Sequence, residues 1–286
     1  KKKPNMIFFP LFPPPPPPPN NNNNNNNNKQ IKQNNKQGAG SRGQLGTGTE
    51  VEAQLRAVPA GSFGDAEHAL AAVAGGGAHT AAVTEAGELF VCGWNDDGQC
   101  GVGSVSSSLL QWTRVPQLVG VRAVACGWAH TVVVVDSGAC FAWGSNRHGQ
   151  LGVPVVADRA AEPQPISGLA DAPMATVACG LRHSLALACD GTVFAWGANT
   201  KGQLGLGARQ PHCREPQRVP LAEPVLSIAA GSRHSAFLTQ ANLVLCTGSN
   251  QHGQCDPAAP TSTVFLEPHA ATGVPDLDFT QIFWYG

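Results

Sequence analysis

Four histidines, His79, His130, His183 and His234, recur in the pattern G-x-x-H-(T/S), and with nine cysteines they are the residues from which a metal centre or a nucleophile could be built. A zinc site needs thiolates or imidazoles that converge from short spacings. No CxxC pair occurs in the sequence. Cys126 and Cys179 occupy one repeated position, and Cys100 and Cys255 stand where other copies carry Leu, so all four are expected to be small apolar core residues. The histidines fall at equivalent places of separate repeats, which suits bonding to local groups beside glycine turns better than convergence on one ion. Gly38-Ala39-Gly40-Ser41-Arg42-Gly43 fits the GxGxxG of dinucleotide sites, but poly-Asn precedes it in place of a strand and TGTEV after it opens no helix. Asp96 and Asp97 are adjacent in a turn and are not a positioned acid and base. The expectation is therefore no catalytic residue, no metal ligand and no cofactor, with an enzyme lodged on the scaffold disfavoured.

What these residues share is a repeat, and the repeat dictates the elements that carry them. G-x-N-x-x-G-Q-(L/C)-(G/D) runs from Gly93 to Gly101, Gly144 to Gly152, Gly197 to Gly205 and Gly248 to Asp256, with a degenerate copy from Gly38 to Gly46. Its fixed residues are Gly93, Asn95, Gly98, Gln99; Gly144, Asn146, Gly149, Gln150; Gly197, Asn199, Gly202, Gln203; and Gly248, Asn250, Gly253, Gln254. Successive Gly-Gln positions are 55, 51, 53 and 51 residues apart. Eight residues after each repeated histidine comes Gly87, Gly138, Gly191 or Asn242, and Asn is the residue that best replaces Gly where a hairpin turn needs positive φ. Between the signatures lie short strand patterns, VRAVAC, HTVVVV and CFAWG in one unit, followed by weaker Pro-bearing segments such as TRVPQL, EPQPI and PQRVPL. Pro cannot donate to a central ladder, so those segments are expected as outer edge strands. Four antiparallel strands per unit of this length, the most apolar first, predict an all-β fold: an incomplete β-propeller of about four to five four-stranded blades.

Composition divides the chain. Residues 1–37 hold six Lys and no carboxylate, whereas residues 38–286 hold all 33 glycines and twelve basic against nineteen acidic residues, a net −7. Direct nucleic-acid binding is disfavoured by that balance. The tracts Pro13–Pro19 and Asn20–Asn28 cannot bury enough apolar surface to offset chain entropy, so 1–37 is expected as a low-complexity disordered tail. Its Lys/Asn usage, unlike the Ala/Arg/Gly-rich remainder, and a start at Lys suggest a stretch not native to the protein. No run approaches the roughly 18 apolar residues of a membrane helix. Unpaired thiols and the absence of an N-x-S/T sequon point to the cytoplasm or nucleus and away from secretion.

The paired signatures resemble the repeats of the regulator of chromosome condensation family, whose ring has seven blades; the resemblance covers residues 38–286. GGGAHTAAVTEAGELFVCGWNDDGQCGVG, VACGW and GSNRHGQLGVP are most similar to its secretion-regulating branch. Four full repeats cannot close such a ring, so the sequence reads as a truncated propeller or fragment, and an isolated arc is expected to self-associate through open sheet edges. The resemblance implies a protein-interaction propeller: a guanine nucleotide exchange factor-like regulator of a small GTPase, or an adaptor for secretory machinery with an exocyst component as partner. It also implies alternatives, a chromatin- or histone-associated adaptor and a non-functional fragment. The family's exchange factor for the GTPase Ran inserts a hairpin from one blade; no interval here exceeds 55 residues, so no comparable wedge is legible and no exchange residue is carried over.

Where the repeat varies, a partner could bind. The changing positions of G-x-N-x-x-G-Q are expected to project from equivalent loops, and with the loop before each histidine they define a candidate rim: Trp94, Asp96, Asp97, Trp128, Arg147, His148, Arg182, Thr200, Lys201, Arg233, Gln251 and His252. Trp143 and Trp196 recur at one strand position and read as core, whereas Trp94 and Trp128 replace small residues or Arg and read as binding anchors.

Overall fold

A computed structural model describes residues 41–48, 69–154, 157–169, 173–208, 210–260 and 263–270. The expected tail, the closing QIFWYG and the first three residues of the GxGxxG string lie outside the described residues.

Each fifty-residue unit folds as one antiparallel sheet. The first contains β1 (Leu70–Gly75), β2 (His79–Thr84), β3 (Leu89–Trp94) and β4 (Ser108–Arg114); the second contains β5 (Val121–Cys126), β6 (His130–Val135), β7 (Cys140–Ser145) and β8 (Arg159–Pro165). The third comprises β9 (Met174–Cys179), β10 (His183–Ala188), β11 (Val193–Ala198) and β12 (His212–Arg218), and the fourth β13 (Val225–Ala230), β14 (His234–Thr239), β15 (Val244–Ser249) and β16 (Val264–Ala270). Within every sheet the spatial order equals the chain order, the up-and-down meander of a propeller blade. No helix occurs among the described residues.

Local chemistry sets each turn. Between β6 and β7, Gly138 takes φ +84° and its N–H donates to Val135 O at 2.8 Å. Asn242 holds the equivalent place at φ 64°, the sole non-glycine with positive φ among the described residues. Its N–H closes the same bond to Thr239 O at 3.0 Å.

Two sequence expectations need correction. The Pro-bearing segments do lie on outer edge strands, Pro163 and Pro165 in β8 and Pro216 in β12, but those strands begin several residues before the expected strings, and β4 ends at Arg114, with Val115 and Leu118 of TRVPQL following as buried coil. Val115 N still donates to Leu89 O at 2.9 Å, and the side chains of both residues turn into the interblade core. The first strands, expected to be the most apolar, are edges too and are partly exposed; Val73 on β1 is 69% exposed. Burial is deepest in the second and third strands, which have a ladder partner on both sides.

The core lies between consecutive blades. Val132, Val134 and Ala142 of the second blade meet Met174, Ala186 and Trp196 of the third, together with Leu151 from the loop that follows β7. Trp143 fills the matching place between blades one and two with Val91, Cys100 and Leu118. Each buried Trp removes about 150–250 Å² from water, an upper limit of roughly 4–6 kcal/mol.

Candidate functional site

In an antiparallel four-stranded blade the β1–β2 and β3–β4 connections emerge at the same end, so both signatures of every repeat share one face. The G-x-N-x-x-G-Q loop is a closed hydrogen-bonding unit. Asn146 Oδ1 accepts from Leu151 N at 3.3 Å, its Nδ2 donates to Ala157 O at 3.3 Å, and Gln150 Oε1 accepts from His148 N at 2.9 Å. Asn95 with Gln99, Asn199 with Gln203, and Asn250 with Gln254 repeat the arrangement. Since these side chains satisfy their own loop, they are spent on architecture.

The loop does not rest on its own blade. Gln99 O accepts both from Trp143 Nε1 at 2.9 Å and from Thr131 Oγ1 at 2.8 Å in the following blade; Gln150 O likewise accepts from Trp196 at 2.9 Å and Ser184 at 2.8 Å. Residues 41–48 take that place on the first blade, where Gln44 O accepts from Thr80 Oγ1 at 2.8 Å. Gly43, the described glycine of the supposed dinucleotide motif, serves this docking: at φ +77° a Cβ on it would sit 2.8 Å from Leu109 O, as one on Gly46, at φ +63°, would sit 2.3 Å from Trp112 Nε1.

The repeated histidines form a buried column across the blades. His79 Nε2 lies 2.9 Å from Thr131 Oγ1, His130 Nε2 3.0 Å from Ser184 Oγ and His183 Nε2 3.0 Å from Ser235 Oγ. Each of those hydroxyl protons is already committed, to Gln99 O, Gln150 O and Gln203 O. The imidazoles must therefore donate from Nε2, which fixes the neutral Nε2–H tautomer. Burial pushes His79 down to about 4 and His130 and His183 down to about 3, the neighbouring imidazoles adding to the effect at His130 and His183. A glycine precedes each ring because a Cβ on Gly127 would stand 2.0 Å from His130 Cε1. No group of three or more metal-ligating side chains occurs among the described residues.

Above this scaffold the varied side chains divide into two rows. The inner row belongs to the loops before the histidines, which bond from blade to blade: Trp128 N donates to Leu181 O at 3.3 Å and Leu181 N to Ser232 O at 3.2 Å. It presents Trp128, 46% exposed, and the exposed Arg182 and Arg233. The outer row presents Asp96, Arg147, Thr200, Gln251 and His252 to solvent, with Asp97, His148 and Lys201 half-buried. The first varied position of the loop is corrected: Ser145, Ala198 and Ser249 are buried because they end the third strand of their blades, and only Trp94 of that set is partly open.

The first two blades bring much of the rim together. Trp94 and Trp128 meet edge to face with centroids 6.5 Å apart, and the Arg42 guanidinium lies 4.6 Å above Trp94. Asp96 pairs with Arg42 at 3.5 Å, Asp97 with Arg147 at 3.6 Å, and Arg159 donates to Asp96 O at 3.1 Å. Gln251 and His252 stand on the fourth blade and join no ion pair or ring contact among the described residues. Partial burial holds His148 below the usual imidazole range, with Arg182, His212, Arg147 and Arg214 adding to it. Arg42, Arg159, His212 and Arg214 are absent from the sequence-derived rim. They belong to the preceding docked loop or to outer strands of the following blade, so alignment of repeats within one loop cannot find them.

Four meander blades joined by loops that dock forward, each with the same Asn/Gln lock and buried histidine, define the architecture, and the model of the RCC1-like domain matches residues 36–282. The chain belongs to the RCC1-like domain family. The secretion-regulating guanine nucleotide exchange factor of Bos taurus is 40% identical over 227 residues, covering 76% of this chain and 48% of that protein. The ultraviolet-B receptor UVR8 of Arabidopsis thaliana is 37% identical over 185 residues, covering 64% of this chain and 42% of the receptor. Among solved structures, human WBSCR16 is 26% identical with a TM-score of 0.66, over 74% of this chain and 55% of that one. This RCC1-like chain spans about half the length of the curated relatives it matches.

Proposed function

We propose that this RCC1-like chain is part of a protein-interaction propeller that acts on a small GTPase of the secretory machinery, as an exchange factor or as an adaptor that includes an exocyst component among its partners. One observation carries the reading: the repeated Asn and Gln side chains are consumed in holding the loops and the His side chains in bonding the next blade, while most residues that vary from blade to blade stand on one face. Such a surface suits recognition. The choice of partner class is supported by 40% identity to a protein named as a secretion-regulating guanine nucleotide exchange factor.

Exchange would need no covalent step. A propeller that binds the nucleotide-free GTPase more tightly than the nucleotide-bound form shifts the equilibrium toward release by that difference in affinity. The test uses the whole chain with purified small GTPases carrying a fluorescent GDP analogue. Accelerated release, or retention of the nucleotide-free form alone, supports the exchange reading; retention without acceleration supports the adaptor. A panel of secretory GTPases and exocyst subunits of which none is retained overturns both.

A further inference from the structure

The net −7 of residues 38–286 conceals an uneven distribution of charge. In the loops of blades two to four that reach the rim, residues 145–149, 180–182, 198–202, 231–233 and 249–253, there are Arg147, Arg182, Lys201 and Arg233, two histidines and no carboxylate. Arg214, on the outer strand of blade three, is drawn to the same place because the loop of blade two crosses to it: a Cβ on Gly149 would stand 2.6 Å from Arg214 Cα. Among the described residues Arg182, Arg214 and Arg233 have no salt-bridge partner. Asp96 and Asp97, the carboxylates of the first blade's loop, are already matched by Arg42 and Arg147 at 3.5 and 3.6 Å. Asp158 directly precedes β8, its carbonyl accepting from Asn146 N at 2.6 Å, and the buried Asp256 faces His269 at 3.4 Å.

Geometry strings these cations into a line. The blade-to-blade bonds from Trp128 to Leu181 and from Leu181 to Ser232 place Trp128, Arg182 and Arg233 along one arc, at intervals of one blade. At its first end the exposed Trp128 and the partly open Trp94 form an apolar corner.

We infer that this arc is the docking site for an acid-rich extended segment of a partner protein, its carboxylates meeting Arg182, Arg233 and the outer Arg214 and Lys201, and a large apolar residue seating against Trp128. Guanidinium groups pair with carboxylates through two parallel N–H bonds, so an exposed row of them without partners favours such a ligand. An aromatic anchor beside a charged row is also the composition of a protein interface hot spot. A short segment fits better than nucleic acid: residues 38–286 carry a net −7, and a longer polyanion would run from the row onto that excess of carboxylates. The same charge makes this face a poor seat for basic tails. The inference rests on the reading of the chain as a protein-interaction propeller, and adds which face is used and what chemistry it selects.

The probe is a fluorescein-labelled twelve-residue peptide rich in Glu and Asp with one Phe near its end, read by anisotropy against the full chain. Its Gln/Asn counterpart and a twelve-nucleotide single-stranded DNA serve as comparisons. The acidic peptide is expected to bind at least tenfold more tightly than either. Arg182→Glu with Arg233→Glu should weaken it at least tenfold, while Arg218→Glu, at the far end of β12, should leave it within twofold. Both rim arginines hold their blades only through main-chain bonds, to Ala198 and Ser249, and an unchanged melting temperature of the double variant verifies the fold. Equal binding of the neutral peptide, insensitivity to the double reversal, or tighter binding of DNA overturns the inference. The same double variant enters the GTPase assay. In the parent chain, GTPase engagement without discrimination between the acidic and neutral peptides sinks this inference alone; peptide discrimination without any GTPase sinks the choice of partner above and leaves the acid-binding face standing.

Discussion

Lowering the pH from 7 to 5 should strip this propeller of a large part of its stability, and the histidine column is the reason. In the unfolded chain each imidazole titrates near 6.5. In the folded chain burial holds His79 at about 4 and His130 and His183 at about 3. The sign follows from proton counting: below 6.5 the unfolded state takes up protons that the folded state refuses, so stability is unaffected above that value and falls as pH drops toward 4. Each histidine then contributes a slope of about 1.4 kcal/mol per pH unit. Integrated from pH 7 to 5, three of them remove about 5–6 kcal/mol, comparable with the whole stability of many domains. Urea titrations at half-unit intervals of pH give the slope directly. His130→Asn lowers stability at every pH, but the informative readout is the gradient between pH 6 and 5, which should decrease by about 1.2 kcal/mol per unit relative to the parent. A midpoint that stays flat from pH 7 to 5, or an unaltered gradient in the variant, would refute the assignment of neutral buried imidazoles.

Other expectations follow from the same scaffold. Of nine free thiols Cys189 alone is exposed, and burial raises Cys92, Cys126 and Cys140 to about 12; Ellman's reagent should therefore find one fast thiol in the native chain and nine in denaturant, two or more fast ones contradicting the burial. Gly127→Ala drives a methyl to 2.0 Å from His130 Cε1 within a closed core, so a loss of at least about 3 kcal/mol, or no soluble product, is expected in denaturant melts. Trp196→Phe removes the 2.9 Å bond to Gln150 O and part of an interblade side chain; a cost of about 2–3 kcal/mol should appear in the urea midpoint, and a neutral result would mean the loop does not depend on this anchor. Asn242→Gly should change stability by less than about 0.5 kcal/mol, whereas Asn242→Val, β-branched at φ 64°, should cost more than about 1 kcal/mol.

Repeat spacing made the blade legible in the sequence, since a turn chemistry that recurs every fifty residues leaves few other folds. Asn242 at a glycine position identified a hairpin without any coordinates, because few other residues tolerate that φ. Strand limits were less legible: TRVPQL has strand-like alternation, yet Val115 and Leu118 are buried by packing into the interblade core, a distinction that depends on what the next blade supplies.

Local chemistry accounts for the loops, hairpins and the division between invariant and varied positions, because each of those is satisfied within a few residues of itself. Contacts that cross from one blade to the next belong to another level. That Gln99 O serves Trp143, that His130 reaches Ser184, and that Arg214 joins Arg147 and Arg182 on one face all depend on the angle and offset at which neighbouring sheets pack. Average charge is read from composition and gave an acidic domain; the electrostatic character of a face is a sum over distances, which only the packed blades supply.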